Sequence, residues 1–563
     1  MGTISDKLMR IINTKEDIRQ ALISKGYDVP TSIPFKEYAK MILDLPCKAD
    51  SFPDIEGIVA RYSASGITNE QMAANPVWVD KTGNGHDLQL KNFSWKGMSG
   101  VGGYGDENHQ TFYKFTLDDY VFIATPPGVK HMNFTFRVTG LQPGNKLTLA
   151  FFGTTNTVYG TWNKDGIYTV DADIVEAGKP TYFYNGYGAT RGEFTIEILP
   201  LYPGALVFDG VDDWAGCDNL PLLPKEKGYS IIALRNWITR YDATQYKRPL
   251  ISNLDTNDEG AFLIEYRKDE NVNDVTGSYN SFTDVYIDDN NPITWQTSSS
   301  YNGQIIKKGT SKSTNKLSIC KTYFGQLSNY ANAAIWEIVI LDHDATEEEL
   351  TKIKDYFIKT YPWLFPDQAW TVTGKTNEDE DRATIANITG NGNDLVLSNF
   401  GFAEGSGYNE EGEYAGYLVT DGVDDRVGNS PFTLNKDWTI VGNWTMLSNI
   451  PSNCGIIKVS SIFLYNSLDG VTIYFAGGPI EIQSKSINAF CSDGRIYLND
   501  WTEILKPDVQ IASGGSKSSL NIASYSANFT KMAFKNLAIY NDQLLSKDDC
   551  IKAYNYLQTL KSK

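Results

Sequence analysis

Histidine, cysteine and positive charge are scarce in this 563-residue sequence, and each scarcity excludes something. Four histidines (His86, His109, His131 and His343) are too few and too dispersed for a zinc site or a proton relay, and none pairs with an evident nucleophile. Six cysteines (Cys47, Cys217, Cys320, Cys454, Cys491 and Cys550) include no C-x-x-C pair, so no disulfide framework is expected. Lys and Arg number 50 against 68 Asp and Glu, a formal charge of −18. Residues 1–50 hold eight basic and seven acidic side chains, so the rest carries −19 and should repel nucleic acid and anionic membrane. No run approaches the ~18 apolar residues of a membrane span, and Met1–Lys25 lacks the apolar stretch of an export signal. The expectation is a soluble protein made in a reducing compartment, with no membrane insertion and no cofactor.

What is abundant is aromatic. Tyr 33, Phe 26 and Trp 12 suit β-rich domains and aromatic binding surfaces better than helical bundles. At 41% hydrophobic and 21% charged the composition is that of folded protein, and the length calls for three or four domains.

Sliding the sequence against itself reveals a repeat. Thr82-Gly83-Asn84-Gly85-His86-Asp87-Leu88 returns 307 positions later as Thr389-Gly390-Asn391-Gly392-Asn393-Asp394-Leu395, and Ser65-Gly66 parallels Thr373-Gly374. Asp209-Gly210-Val211-Asp212-Asp213 returns as Asp421-Gly422-Val423-Asp424-Asp425, only 212 positions later. The first copy therefore holds about 95 extra residues within 101–205, an inserted domain. Alternation of Phe134, Phe136 and Val138, of Leu147, Leu149 and Phe151, and of Phe194, Ile196 and Ile198 marks it as a small antiparallel β-sandwich, with a turn at Gly140–Asn145. Each copy closes alike: Glu337–Asp342 matches Asn536–Asn541, and a helix follows both. Thr346 with Glu349, and Ser546 with Asp549, have capping-box spacing; Leu350, Ile353 and Phe357 match Cys550, Ala553 and Leu557 on one apolar face. Tyr361–Pro366 ends the first helix and sets a boundary near 362. In residues 1–50, apolar side chains at helical spacing from Ile4 to Leu45 make three short amphipathic helices, too thin a core to stand without a partner or oligomerisation. The divisions are 1–50, a helical attachment module; 51–104 with 205–362, the first large domain; 105–204, the insert; and 363–563, the second large domain.

The ordered set of an aromatic and a Ser/Thr-Gly turn (Tyr62, Ser65, Gly66; Trp370, Thr373, Gly374), Thr-Gly-Asn-Gly-x-Asp-Leu, Asp-Gly-Val-Asp-Asp and a closing strand and helix resembles the laminin-G or concanavalin-A-like jelly roll. The resemblance covers about 60% of the chain and implies a mainly β fold of two such sandwiches with the insert between. The stretch Ile11–Ile23, with Lys25–Pro30 and Pro34–Ala39, is similar to the leader of head- and tail-fibre proteins of bacteriophages of Bacteroidetes, including crAss-like phages. It implies a virion protein docked to other virion proteins through its N-terminus and presenting lectin-like domains to host-surface or mucosal glycans. Homo-oligomerisation, as a trimer, follows from the fibre analogy, although no heptad run specifies it. A purely architectural virion role, without glycan binding, stays open beside it.

The jelly roll also hosts glycoside hydrolases, whose retaining chemistry needs two carboxyls ~5–5.5 Å apart. No Glu-x-Asp-x-x-Glu-like run is present, and Glu337 with Asp342 would point to opposite faces of a strand, so the chain is read as a non-enzyme and a depolymerase is the weakest alternative. Glycan binding needs aromatic faces beside amides and charges. Trp162, Tyr182, Tyr184, Tyr187 and Arg191 in the insert fit that need, near Tyr159, Asn163, Asp165 and Asn185, as does Trp295 in the polar stretch Tyr279–Tyr301, read as a rim loop. The competing reading makes Tyr182 and Tyr184 mere cover for a sheet face. Asp212, Asp213, Asp424 and Asp425 are calcium candidates, but a β-turn with the valine as anchor is the favoured reading, so no metal is assigned.

Overall fold

The computed structural model describes residues 52–562 except for short stretches, the longest being 104–111, 239–246, 268–280, 284–291 and 506–516. Residues 1–51, and with them the attachment module, lie outside the described residues. The described chain is mostly β.

In the first large sandwich one sheet runs Ile293–Thr297, Ser230–Trp237, Asn332–Leu341, Leu206–Asp209 and Gly100–Val101 along its centre, and Ile58–Ser63 also pairs with Asn332–Leu341. The facing sheet runs Leu263–Arg267, Lys247–Ser252, Leu317–Ile319, Trp214–Cys217, Leu88–Lys91 and Val77–Trp78. The second large sandwich repeats both orders, with Ile487–Cys491, Trp438–Met446, Met532–Asn541, Tyr417–Val419 and Gly407–Asn409 in one layer. The central strands Asn332–Leu341 and Met532–Asn541 each carry a β-bulge, where the register with Ser230–Trp237 and with Trp438–Met446 skips Trp336 and Lys535. The bulge changes which side chains face inward, so Ala333 and Ile335, then Ile338 and Ile340, fill the first sandwich. Ala334, Trp336, Val339 and Leu341 turn to the opposite face.

Residues Phe112–Leu199 form two four-stranded antiparallel sheets that pair only with each other's neighbours in that span. The nine alternating apolar residues from Phe134 to Ile198 named above are all buried, and most of them join Phe183 in one core. The strands His131–Thr139 and Lys146–Phe151 belong to different sheets and do not pair as a hairpin; within the expected turn Gly140–Asn145, residues 142–144 lie outside the described residues.

The repeated loops owe their sequence to hydrogen bonding. Asp87 accepts from Asp80 N–H at 2.8 Å, and Asp394 accepts from Asn387 N–H at 2.8 Å. Asn84 and Asn391 reach back to carbonyls of the first strand region, Val59 O at 2.9 Å and Asp367 O at 2.8 Å. Gly210 and Gly422, at φ of 79° and 77°, lie so close to the backbone of Asn332 and Lys531 that a Cβ would collide.

The helices are Glu347–Thr360 and Lys547–Leu557. Thr346 and Glu349 form the full capping box, whereas Asp549 returns to the Ser546 hydroxyl, at 2.7 Å, in place of its backbone N–H. The boundary segment is not a bare linker: Pro362–Leu364 is a 3-10 turn whose Trp363 and Leu364 are buried. These elements join one core that includes Ile167 and Leu199 of the insert, Trp336 of the first sandwich and Val441 and Tyr540 of the second. Among the described residues no helix is long and apolar enough to cross a membrane.

Candidate functional site

The insert rests on the second large sandwich. Lys164, just before the strand Gly166–Asp173, places its ammonium on the buried carboxylate of Asp500, whose other oxygen accepts from Thr502 N–H at 3.0 Å. Burial pushes the Asp500 carboxyl up, but the hydrogen bonds from Lys164 and Thr502 outweigh it and hold the group below its ordinary value. Asn555 donates to Pro200 O at 3.3 Å, and Ile167 shares the common core with Trp501 and Tyr554.

Between these contacts lies a cleft of about 280 Å³ with twelve lining residues. Six are aromatic: Trp162 and Tyr168 from the insert, and Tyr417, Trp444, Trp501 and Tyr554 from the other side. Asn443, Asn488, Asn499, Thr169 and Thr445 add amides and hydroxyls. Trp162 sits 5.6 Å from Tyr168, their rings 35° apart, and Trp501 meets Tyr554 edge-on at 5.6 Å. Trp501 has φ of 58°, a conformation bulky side chains rarely adopt, in the turn between Arg495–Leu498 and Glu503–Leu505. Its N–H donates to Leu498 O at 2.9 Å, and Asp500 beside it is held by Lys164. Burial pushes the phenols of Tyr168 and Tyr554 up to about 12 and that of Tyr417 well above its ordinary value, so all three are neutral. Behind Tyr417 the Lys535 ammonium lies 5.2 Å from the ring, and burial lowers it to about 8.

Of the residues singled out in the sequence, the structure brings Trp162 to the cleft. Tyr182 and Tyr184 are half-buried on the strand Thr181–Gly186, on the face opposite Phe183, and do not line it. Asp165 is used locally, accepting from Gly140 N–H at 2.9 Å and Leu141 N–H at 2.7 Å. Tyr187 and Arg191 lie outside the described residues. Trp295 is not in a loop: it belongs to the strand Ile293–Thr297, opposite Ile232, because Ile-Thr-Trp-Gln-Thr is a β-forming run beside a long sheet. Tyr168, Tyr417, Asn443, Trp501 and Tyr554 escaped the sequence reading. Tyr168 is only six positions from Trp162, but Tyr417, Asn443, Trp501 and Tyr554 join it across more than 250 positions of chain, and no local pattern announces that.

Asp212 and Asp213 cluster with Asp209, and Asp424 and Asp425 with Asp421, each triad having carboxylate oxygens within 4.8 Å of one another. The oxygens serve the turn. Asp209 accepts from the N–H groups of Val211 at 2.8 Å and Asp212 at 3.3 Å, and Asp213 accepts from Asp209 N–H at 3.1 Å. The second copy matches, at 2.7, 3.4 and 2.8 Å. The valines do not anchor it. Val211 and Val423 are each 70% exposed, since the backbone N–H groups do the anchoring and the side chains point outward. Burial and Asp209 raise the Asp213 carboxyl to about 7; burial raises Asp425 to about 6. Glu337 is fully buried, held by Arg61 at 3.3 Å and by the hydroxyls of Tyr361 at 2.8 Å and Tyr356 at 3.3 Å.

No protein-family model matches the chain, and no curated protein matches it. Among solved structures, Trypanosoma rangeli sialidase in complex with sialic acid is similar at 11% identity and a TM-score of 0.24, covering 47% of this chain and 48% of that chain. The same sialidase in another structure gives 9% identity and 0.26, covering 78% and 71%. The botulinum neurotoxin serotype D binding domain gives 10% and 0.23, covering 61% and 88%. At these TM-scores the likenesses carry no argument about binding or activity.

Proposed function

We propose that the protein is a non-enzymatic structural component of a bacteriophage virion, a head or tail fibre, whose sandwiches are concanavalin-A-like jelly rolls adhering to host-surface or mucosal glycans. The observation that carries the glycan reading is the cleft between insert and second sandwich, where aromatic rings and neutral amides converge. Aromatic faces stack on the apolar side of a pyranose while amides take its hydroxyls. The virion assignment rests on the N-terminal leader and on the repeated motifs, with residues 1–50 docking to other virion proteins and supporting a trimer. The non-enzymatic reading is supported by Glu337, the nearest sequence candidate for acid chemistry, being committed to Arg61 and two tyrosines.

One feature favours the architectural alternative. The core shared by all three sandwiches makes them one packed body, as a decoration protein needs. Binding of the labelled full chain to host cells and to arrays of bacterial and mucosal glycans separates the two. Saturable glycan binding supports adhesion; incorporation into particles with no glycan bound leaves architecture. Absence from purified particles overturns the virion reading.

A further inference from the structure

The charge of the ligand can be read from the same cleft, an inference that rests on the glycan reading above. None of the twelve lining residues is Asp, Glu, Lys, Arg or His. Its three tyrosines keep their protons, and the ion pair at its edge is self-compensating, Lys164 on Asp500. Lys535 is 4% exposed and lies behind the Tyr417 ring. A carboxylate or ammonium brought into such a site loses its water without gaining a partner of opposite charge. Hydroxyls lose nothing comparable, because Asn443, Asn499, Thr169 and Thr445 are polar, neutral and at least partly exposed. Asn443 already donates its Nδ2 to Tyr417 Oη at 3.0 Å and to Gln558 Oε1 at 3.3 Å, so its carbonyl oxygen faces the role of acceptor. The volume, about 280 Å³, lies just below the ~300–1,000 Å³ of ordinary small-molecule sites, which suits one ring and not an extended chain.

We propose that the cleft between the insert and the second sandwich binds a single uncharged sugar ring, free or terminal on a neutral glycan, with Trp162 and Tyr168 as the stacking wall and Asn443 and Asn499 as hydroxyl partners. Acidic sugars are excluded for want of a cation.

The test is titration of the full-length protein with glucose, galactose, mannose and N-acetylglucosamine, and in parallel with sialic acid and glucuronic acid, by calorimetry and ligand-observed NMR. At least one neutral sugar is expected to bind, with the acidic sugars weaker by at least about tenfold. Trp162→Ala and Asn499→Ala should each weaken the neutral sugar by at least about tenfold. Asn499 is exposed, so its variant tests the cleft even where loss of Trp162 from its packing on Phe136 unfolds the insert; circular dichroism melts identify that case. Acidic sugars binding as tightly as neutral ones overturn the charge assignment and leave the glycan reading intact. Neutral binding untouched by Asn499→Ala and by a folded Trp162→Ala overturns the cleft and places glycan binding elsewhere. No binding of any sugar, here and on the arrays, overturns both.

Discussion

The two large sandwiches repeat one plan and differ in what their outer faces meet. The helix Glu347–Thr360 buries Ile353, Tyr356 and Phe357 and leaves the rest to solvent or partial cover, whereas Lys547–Leu557 buries seven of its eleven residues. The second helix is enclosed because it lies under the first sandwich and the insert as well as on its own sheet: Tyr556 meets Trp336 and Asn555 donates to Pro200 O, while Cys550 lies against Cys491 of its own sheet. The bulged positions diverge in the same sense. Trp336 fills the shared core near Tyr202 and Tyr556, while Lys535 lies behind the cleft tyrosine Tyr417. One motif thus holds the molecule together in one copy and borders an accessible cleft in the other.

A sharper difference is the ion pair of Arg61 with Glu337, for which the second copy has Ala369 and Asn536 at the matching register. Arg61→Ala strands a fully buried carboxylate, and a loss of about 3–5 kcal/mol is expected in urea unfolding followed by tryptophan fluorescence. Installing the second copy's residues together, Arg61→Ala with Glu337→Asn, should recover most of it. If Arg61→Ala alone is as stable as the parent, the copies do not differ through this pair.

The acidic turns predict a difference in pH response. A carboxyl whose folded pKa is raised favours the folded state fully below its unfolded value, and that contribution is lost as pH rises through the folded value. For Asp213 the loss spans roughly pH 4 to 7, and for Asp425 roughly pH 4 to 6. Asp213→Asn and Asp425→Asn should therefore leave the melting temperature near pH 4 unchanged and raise it at pH 8, Asp213→Asn by more. Equal melting curves at pH 8 would mean that these carboxyls cost no stability when ionised, and stabilisation by calcium that EDTA reverses would make the turns cation sites.

The smallest contrast lies at the helix starts. Thr346→Ala and Ser546→Ala each remove an N-cap worth about 1 kcal/mol. Amide exchange should show fraying confined to the first turn of the exposed Glu347–Thr360 helix, and little local fraying in the enclosed Lys547–Leu557 helix. Fraying of equal extent in both would mean that enclosure contributes nothing to the second helix.

Much of this was legible in sequence because it depends on neighbours in the chain. Period-two alternation from Phe134 to Ile198 reports strands with one dry face, the spacing of Thr346 and Glu349 reports a cap, and the repeated Thr-Gly-Asn-Gly reports a loop whose Asn and Asp bond nearby backbone. The mostly β class follows from these. Where the reading failed, the deciding partner was remote. Trp295 looked like a loop residue because the stretch around it is polar; its run has β propensity, and pairing with Ser230–Trp237 fixes it as a strand. Val211 and Val423 are the local exception: they looked like anchors because they are apolar, but their own N–H groups bond Asp209 and Asp421 two positions away, and that turn leaves the side chains outward.

The sequence by itself therefore determined the strands, turns, caps and the double copy, since each is set by side chains a few positions apart. Tertiary structure alone decided that Trp162 and Tyr168 should face Tyr417 and Trp501, and that Lys164 should meet Asp500. Such a cleft arises from the packing of surfaces remote along the chain, and no spacing rule within a strand or helix encodes which two surfaces will meet.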